Sequence, residues 1–243
     1  MSVLHSFKEH YLEEAAAETV TLNFGRFNPP TIGHEKLLDV SHSKGTGVHR
    51  IYATQSQDAK KNPLDWKTKV KYMRKIFPVH ARMILMDKKV KTIWDALVIA
   101  HNDGFKNLEL VVGSDRVKEF EKLVNGYNGK KAKHGFYDFA SIKIINAGER
   151  DPDAEGAEGM SASKMRAAAT KNDLIAFTSG LPPKFKDSEG LMNAVRSGMG
   201  LQEERSFRQD IKLKRSSSIR EKYVAGKLFN VNDKIVTTGG QEG

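Results

Sequence analysis

The chain contains no cysteine. Disulfides and thiolate metal sites are therefore excluded, and cysteine usage says nothing about redox compartment. No apolar run approaches the ~20 residues that a membrane helix needs. Lys8, Glu9, Glu13 and Glu14 interrupt any leader-type apolar core near the start, so the expectation is a cytoplasmic protein without a membrane partner. There is no Gly-x-Gly-x-x-Gly and no Gly-Lys-Ser/Thr, which removes the dinucleotide fingerprint and the Walker loop. No internal repeat is present.

What remains is an ordinary soluble composition: 243 residues, 39% hydrophobic and 29% charged. That length can bury one good core and leave a tail or small second unit. The net charge of +10 suits polyphosphates and also nucleic acid. Much of the excess lies in Arg205, Arg208, Lys212, Lys214, Arg215, Arg220, Lys222 and Lys227. A smaller basic cluster, Lys130-Lys-Ala-Lys133, falls in a glycine-rich loop. Both are compatible with plain solvated surface.

The order of segments alternates strand and helix. Strand patterns cover Thr19–Phe24, His49–Ala53, Arg82–Met86, Asn107–Val112 and Ser141–Asn146, and helical patterns cover Gly33–His42, Asp65–Ile76, Thr92–Asp103 and Asp115–Val124. Leu108-Glu-Leu-Val-Val112 is nearly continuous in apolar residues, as a strand buried on both faces should be. Short strands separated by such helices predict an α/β fold, a doubly wound parallel sheet of about five strands with right-handed crossovers. Ligands on such a sheet sit at the carboxyl ends of the strands, where strand order reverses. Gly25 and Gly113 both follow strands on that edge.

Two loops carry the chemistry. Gly25-Arg-Phe-Asn-Pro-Pro-Thr-Ile-Gly-His34 joins a strand to a helix. Such a junction gathers backbone N–H groups and a helix N-terminus, where a phosphate is held readily. Gly25 allows a sharp turn, Gly33 leaves room for a ligand, and His34 offers an imidazole donor. Alone, the same loop is also an ordinary strand–turn–helix with a surface histidine. The second is Gly159-Met-Ser-Ala-Ser-Lys-Met-Arg166, with Ser161 as a helix N-cap before Lys164-Met-Arg-Ala-Ala-Ala169. Ser161, Ser163, Lys164 and Arg166 together would make an anion site. A third junction, Gly113-Ser-Asp-Arg116, either contacts a ligand through Gly113 and Asp115 or caps the next helix with Ser114 or Asp115. Trp94 lies in a helical pattern, where an aromatic is more often core than platform.

Phe24–His34 and Met160–Arg166 resemble the two signatures of the nucleotidylyltransferase superfamily, a His/Thr-x-Gly-His loop and an Ile-Ser-Ser/Gly-Thr-x-x-Arg helix start. The Gly-Arg-Phe-x-Pro form looks most like the archaeal-type nicotinamide-mononucleotide adenylyltransferases. Asn62-Pro63-Leu64 resembles an Asn-Pro-Phe segment of that family, and Ile93-Trp94 resembles a pair whose tryptophan stacks on nicotinamide. The resemblance covers roughly residues 19–178. It departs from the His-x-Gly-His form at the first histidine, which is Thr31 here as it is threonine in the phosphopantetheine branch, and it fades after Pro63.

The resemblance implies a Rossmann-like domain and nucleotidyl transfer from ATP or CTP to a small phosphorylated acceptor, with Mg2+ accompanying the nucleotide. Nicotinamide mononucleotide with ATP, a step of NAD biosynthesis, is the leading acceptor and donor. Cytidylyl transfer to a phosphorylated alcohol or sugar is the alternative. By resemblance, His34, Thr31 and Arg166 are catalytic. Gly25, Arg26, Phe27, Asn28, Gly33, Ser161, Ser163 and Lys164 hold nucleotide phosphates, and Trp94, Gly113 and Asp115 face the acceptor.

Three regions are expected: residues 1–18, with an amphipathic helix pattern over Leu4–Ala17; 19–180, the catalytic domain; and 181–243, a basic extension. Within that helix pattern, Phe7-Lys-Glu-His-Tyr-Leu-Glu-Glu-Ala15 is similar to short leader segments of internal virion proteins in large tailed phages. A phage origin would place the protein in host cytoplasm or virion. A nucleic-acid-binding virion protein that keeps this fold is the alternative of another class, with the tail binding nucleic acid. Asp151–Gly159 reads as a loop that could fold over a nucleotide, and Leu228–Gly240 as the opening strands of an incomplete small β unit. A homo-oligomer is compatible with the sequence and not specified by it.

Overall fold

The computed structural model describes residues 18–148 and 160–201. The N-terminal helix pattern, the acidic loop Asp151–Gly159 and the basic extension beyond Leu201 lie outside the described residues. Among the described residues, no helix is long and apolar enough to cross a membrane.

Four parallel strands form one sheet in the order β2-β1-β3-β4, with β1 Thr19–Gly25, β2 Val48–Ala53, β3 Asn107–Val112 and β4 Ser141–Asn146. The helices between and after them are α1 Ile32–Lys44, α2 Trp66–Ile76, α3 Ile93–Asn102, α4 Val117–Tyr127, α5 Ala162–Thr170, α6 Leu174–Thr178 and α7 Ser188–Gly198. Their starts follow from local chemistry. Asp65, Thr92 and Ser161 each accept the N–H three residues on, which supplies a partner for an orphan donor of the first helical turn. α4 is different: neither Ser114 nor Asp115 caps it, and a single 3-10 turn, Ser114–Arg116, leads into the helix instead.

The sheet separates two apolar cores. Leu38, Ile51, Ala53, Met73, Met165 and Leu191 belong to one, with α2, α5 and α7. Val20, Leu22, Tyr52, Leu97, Leu110 and Val124 belong to the other, with α3 and α4. Alternation along β1 explains its place between them. Val20 and Leu22 enter the apolar layer, while Thr21 and Asn23 point the other way into a buried polar seam. There Thr21 Oγ1 donates to Glu109 Oε2 (2.8 Å) and Ser41 Oγ donates to Asn23 Oδ1 (2.6 Å). Burial works against the Glu109 carboxylate. Hydrogen bonds from the Thr46 N–H, Thr21 and Thr46 hydroxyls, with the Lys143 charge, outweigh it and hold the group below the usual range.

The expected fifth strand, Arg82–Met86, makes only one parallel bridge, Ile51 with Ile84, on the outer side of β2. Turns claim its two flanks. Met83 N and Ile84 N donate to His80 O, and the Gln55 amide donates to Asp87 O, Lys88 O and Val90 O. The Arg74 guanidinium then covers the outer side, donating through Nε and Nη2 to Ile84 O (3.1 and 2.7 Å). The packed unit also runs past residue 180: α7 lies against α5 and α6, and Arg196 Nη1 donates to Ala169 O (2.6 Å) at the end of α5.

The sheet opens at one place. β1 and β3 pair only as far as Leu22 and Leu110. Beyond that point β1 stays with β2 to Gly25–Ala53, and β3 stays with β4 to Val112–Asn146. The Asn23 amide reaches across the parting to Val111 O (3.4 Å). This is the point where strand order reverses, at the carboxyl edge, where crevices for ligands form in sheets of this kind.

Candidate functional site

Past the end of β1 the chain turns sharply. Phe27 adopts a left-handed backbone (φ 45°) and buries its ring (2% exposed). For a residue other than glycine this costs on the order of 1–3 kcal/mol and persists only where the surroundings enforce it. Two neighbours do so. A Cβ on Gly25 would stand 2.9 Å from Phe27 Cε2, so only glycine leaves space for the ring. The ring also lies 4.9 Å from the His34 imidazole, tilted by 51°. Arg26 is left exposed at the mouth of the loop.

Thr31 then caps α1. The Thr31 N–H donates to His34 Nδ1 (3.0 Å), and Thr31 Oγ1 lies 2.9 Å from the same nitrogen and accepts the His34 N–H at 3.4 Å. This is a capping box in which histidine takes the position usually held by Glu or Gln. A backbone N–H can only donate, so Nδ1 is an acceptor and the neutral ring carries its proton on Nε2.

The second loop meets the first in one cleft of about 100 Å³, lined by Arg26, Phe27, Asn28, His34, Lys61, Ser161, Ala162, Ser163 and Arg166. Arg166 makes the junction: Nη1 donates to Asn28 O (2.7 Å) and Nη2 to Ser163 Oγ (3.0 Å). Burial, then the nearby Arg26 charge, press the Arg166 pKa down, while Asp58 acts in the opposite sense. A guanidinium stays charged through such a change. Behind it, Ile32 N donates to Gly180 O (2.9 Å), which ties the start of α1 to the turn after α6.

Asn28 is the hub of this arrangement. Its side chain accepts the Leu64 N–H (3.0 Å) and donates to Leu64 O (3.1 Å), while its carbonyl holds Arg166. The amide thus serves the loop after β2 rather than a phosphate. That loop brings in Lys61, a cleft residue that the sequence motifs do not include. Its only signal in sequence is that it immediately precedes Asn62-Pro63.

The remaining expected residues divide clearly. Thr31 is 1% exposed and absent from the lining, so it acts through His34. Gly25 acts through Phe27. Gly33 is exposed at the first turn of α1, and a Cβ there would meet only Thr31 Oγ1 at 3.6 Å, so the fold itself does not demand glycine. Lys164 is exposed on α5 and its N–H is taken by Ser161 Oγ (3.0 Å), but its side chain does not line the cleft. Gly113 and Asp115 follow β3 at the sheet opening and do not line the cleft either.

Trp94 is not brought to the site. His134 stacks on its indole (4.7 Å, 23°), Tyr127 meets it edge-on (5.4 Å) and Tyr137 lies beyond (6.5 Å). The imidazole covers a face that a nicotinamide ring would need, and the side chain packs on the α3–α4 core.

The cleft lining has no carboxylate, and no cluster of three metal-ligating side chains occurs among the described residues. The described residues therefore do not supply a carboxylate cage for Mg2+. No protein-family model matches the chain, and no curated protein matches it in sequence.

Proposed function

We propose that the protein is a nucleotidylyltransferase, moving a nucleoside monophosphate from a nucleoside triphosphate to a phosphate-bearing acceptor with release of pyrophosphate. The observation that carries this reading is the convergence of the two distant loops on one cationic cleft, joined by the Arg166–Asn28 bond.

An acceptor phosphate oxygen attacks the α-phosphorus in line as the bond to the β-phosphate oxygen breaks. The acceptor is already anionic, so no serine or cysteine nucleophile is required. Catalysis is then positioning and charge neutralisation. His34 Nε2–H donates to an α-phosphate oxygen as charge builds there. Ser161, Ser163, Arg166 and the N-terminus of α5 take the β- and γ-phosphates, with Arg26 adding charge at the mouth. Mg2+ enters with the nucleotide, screening the triphosphate charge.

ATP with nicotinamide mononucleotide is the leading pair, resting on the Gly25–Pro30 and Asn62-Pro63 resemblance; Trp94 adds nothing to it. CTP with a phosphorylated alcohol or sugar is the alternative. The test is a pyrophosphate-release screen of ATP and CTP against nicotinamide mononucleotide, phosphopantetheine and glycerol phosphate. One pair should turn over in wild type and fall to background in Arg166→Ala. Binding of ATP and CTP in the Phe27 and Arg166 cleft with no turnover of any acceptor would leave a binding protein instead.

A further inference from the structure

We propose that Lys61 is a third cation, with Arg26 and Arg166, that grips the polyphosphate end of the donor, and that the loop between β2 and α2 exists in this form to hold it there. This deepens the nucleotidylyltransferase reading and rests on it.

The loop is pinned at three points. At its start, Thr54 N donates to Gly25 O (2.9 Å), and the buried Lys69 amine donates to Thr54 O (2.7 Å). In its middle, Asp58 and Asn62 exchange backbone hydrogen bonds (2.9 and 3.2 Å). The Asp58 carboxylate also accepts the Lys60 N–H (3.0 Å), the Lys61 N–H (2.6 Å) and the Asn62 amide (2.5 Å). Those bonds, the Lys61 N–H first, hold the Asp58 carboxyl at about 2. At its end, both backbone groups of Leu64 are held by Asn28.

Such a loop fixes where the Lys61 backbone stands, so the reach of its side chain starts from a set point. Two of its three pins attach to the phosphate loop itself, at Gly25 and Asn28. Lys61 emerges in the cleft with Ser163 and Arg166, whereas its neighbour Lys60 does not line it. A flexible ammonium beside a guanidinium suits the most highly charged part of the ligand, the terminal phosphates that leave as pyrophosphate. Asp58 is engaged by three donors of its own loop, so it orders the turn rather than pairing with a substrate cation.

The test uses the full chain and inorganic tripolyphosphate, titrated by calorimetry at two salt concentrations. Four proteins are compared: wild type, Lys61→Ala, Lys61→Arg and, as the control for general charge, Lys60→Ala. Thermal melting checks that each is folded. The expected result is about a tenfold loss of tripolyphosphate affinity in Lys61→Ala. Lys60→Ala should stay within about twofold, and Lys61→Arg should recover most of the loss. Orthophosphate affinity should change little. Equal losses in Lys60→Ala and Lys61→Ala, or none in Lys61→Ala, overturn the assignment of Lys61 while leaving the cleft intact. No tripolyphosphate binding by wild type removes the polyphosphate site, and this proposal with it.

Discussion

Arg166 and Asn28 lie 138 residues apart in the chain and are joined by a 2.7 Å hydrogen bond from a guanidinium nitrogen to a main-chain oxygen. The side chain of the same asparagine holds both backbone groups of Leu64. One residue thus fixes three segments of the cleft.

Asn28→Ala should cost stability as well as activity. It strands a buried donor and a buried acceptor on Leu64, a penalty of about 1–3 kcal/mol each where water cannot reach them. Urea denaturation should show a lowered midpoint with an unchanged slope. Asn28→Asp keeps the acceptor for the Leu64 N–H but sets a carboxylate against the Leu64 carbonyl, and should be no better. An unchanged midpoint in both variants would show that these bonds contribute nothing net.

His34 and Thr31 should separate in kinetics although they touch. His34→Ala removes the donor to the α-phosphate and should lower turnover by about 10²–10³-fold. Thr31→Ala removes a cap worth about 1 kcal/mol. It keeps the backbone N–H on His34 Nδ1, and therefore the tautomer. Its turnover should fall less than about tenfold, beside the much larger loss from removing the imidazole donor. Equal losses in the two variants would make the threonine hydroxyl a direct participant.

The Lys69 side chain is fully buried, and that burial brings its pKa down to about 8, with Asp65 opposing. An unfolded lysine keeps its proton to about pH 10.4. Between those values the unfolded chain binds more protons than the native one, so this group makes stability rise as pH increases through the interval. The gain should be on the order of 1–3 kcal/mol and should vanish in Lys69→Met. Unfolding free energies of both proteins at pH 7.5 and pH 10 check it; parallel pH profiles would show that the amine titrates normally.

Trp94→Leu should behave as a packing mutation. The indole sits among His134, Tyr127 and Tyr137, so melting temperature should drop while the KM for the acceptor stays within about twofold. A selective rise in that KM would return Trp94 to the substrate site.

Local chemistry was readable in the chain. Alternation in Thr19–Phe24 reports a strand, and Ser161 before a helical run reports a cap, because both depend on residues a few positions apart. The turn and cap residues of the two loops were readable for the same reason. What bound them together was not. The Asn28–Leu64 clamp spans 36 residues, and nothing in either segment announces the other. Lys61 stands in a lysine pair whose members look alike until the Asp58 turn directs one of them inward. Trp94 resembled a platform until the fold laid His134 on it. Arg82–Met86 has strand composition, yet turns on both flanks limit it to one bridge. For the Asn28 clamp and for Trp94 the deciding partner lies 36 or more residues along the chain, whereas Lys61 and Arg82–Met86 are decided by turns onto Asp58 and His80 that composition does not announce.

The Arg74 cover on Ile84 has a consequence for behaviour in concentrated solution. Exposed sheet borders recruit strands from other copies, and filaments grow only when each copy offers two such borders. Here the bridge at Ile84 and the guanidinium outside it cover the middle of the β2 border, and β4 is the other terminal strand of the described sheet. At Ile51 an incoming strand would have to displace both the Ile84 segment and Arg74, so edge-to-edge growth of copies through the middle of β2 is hindered.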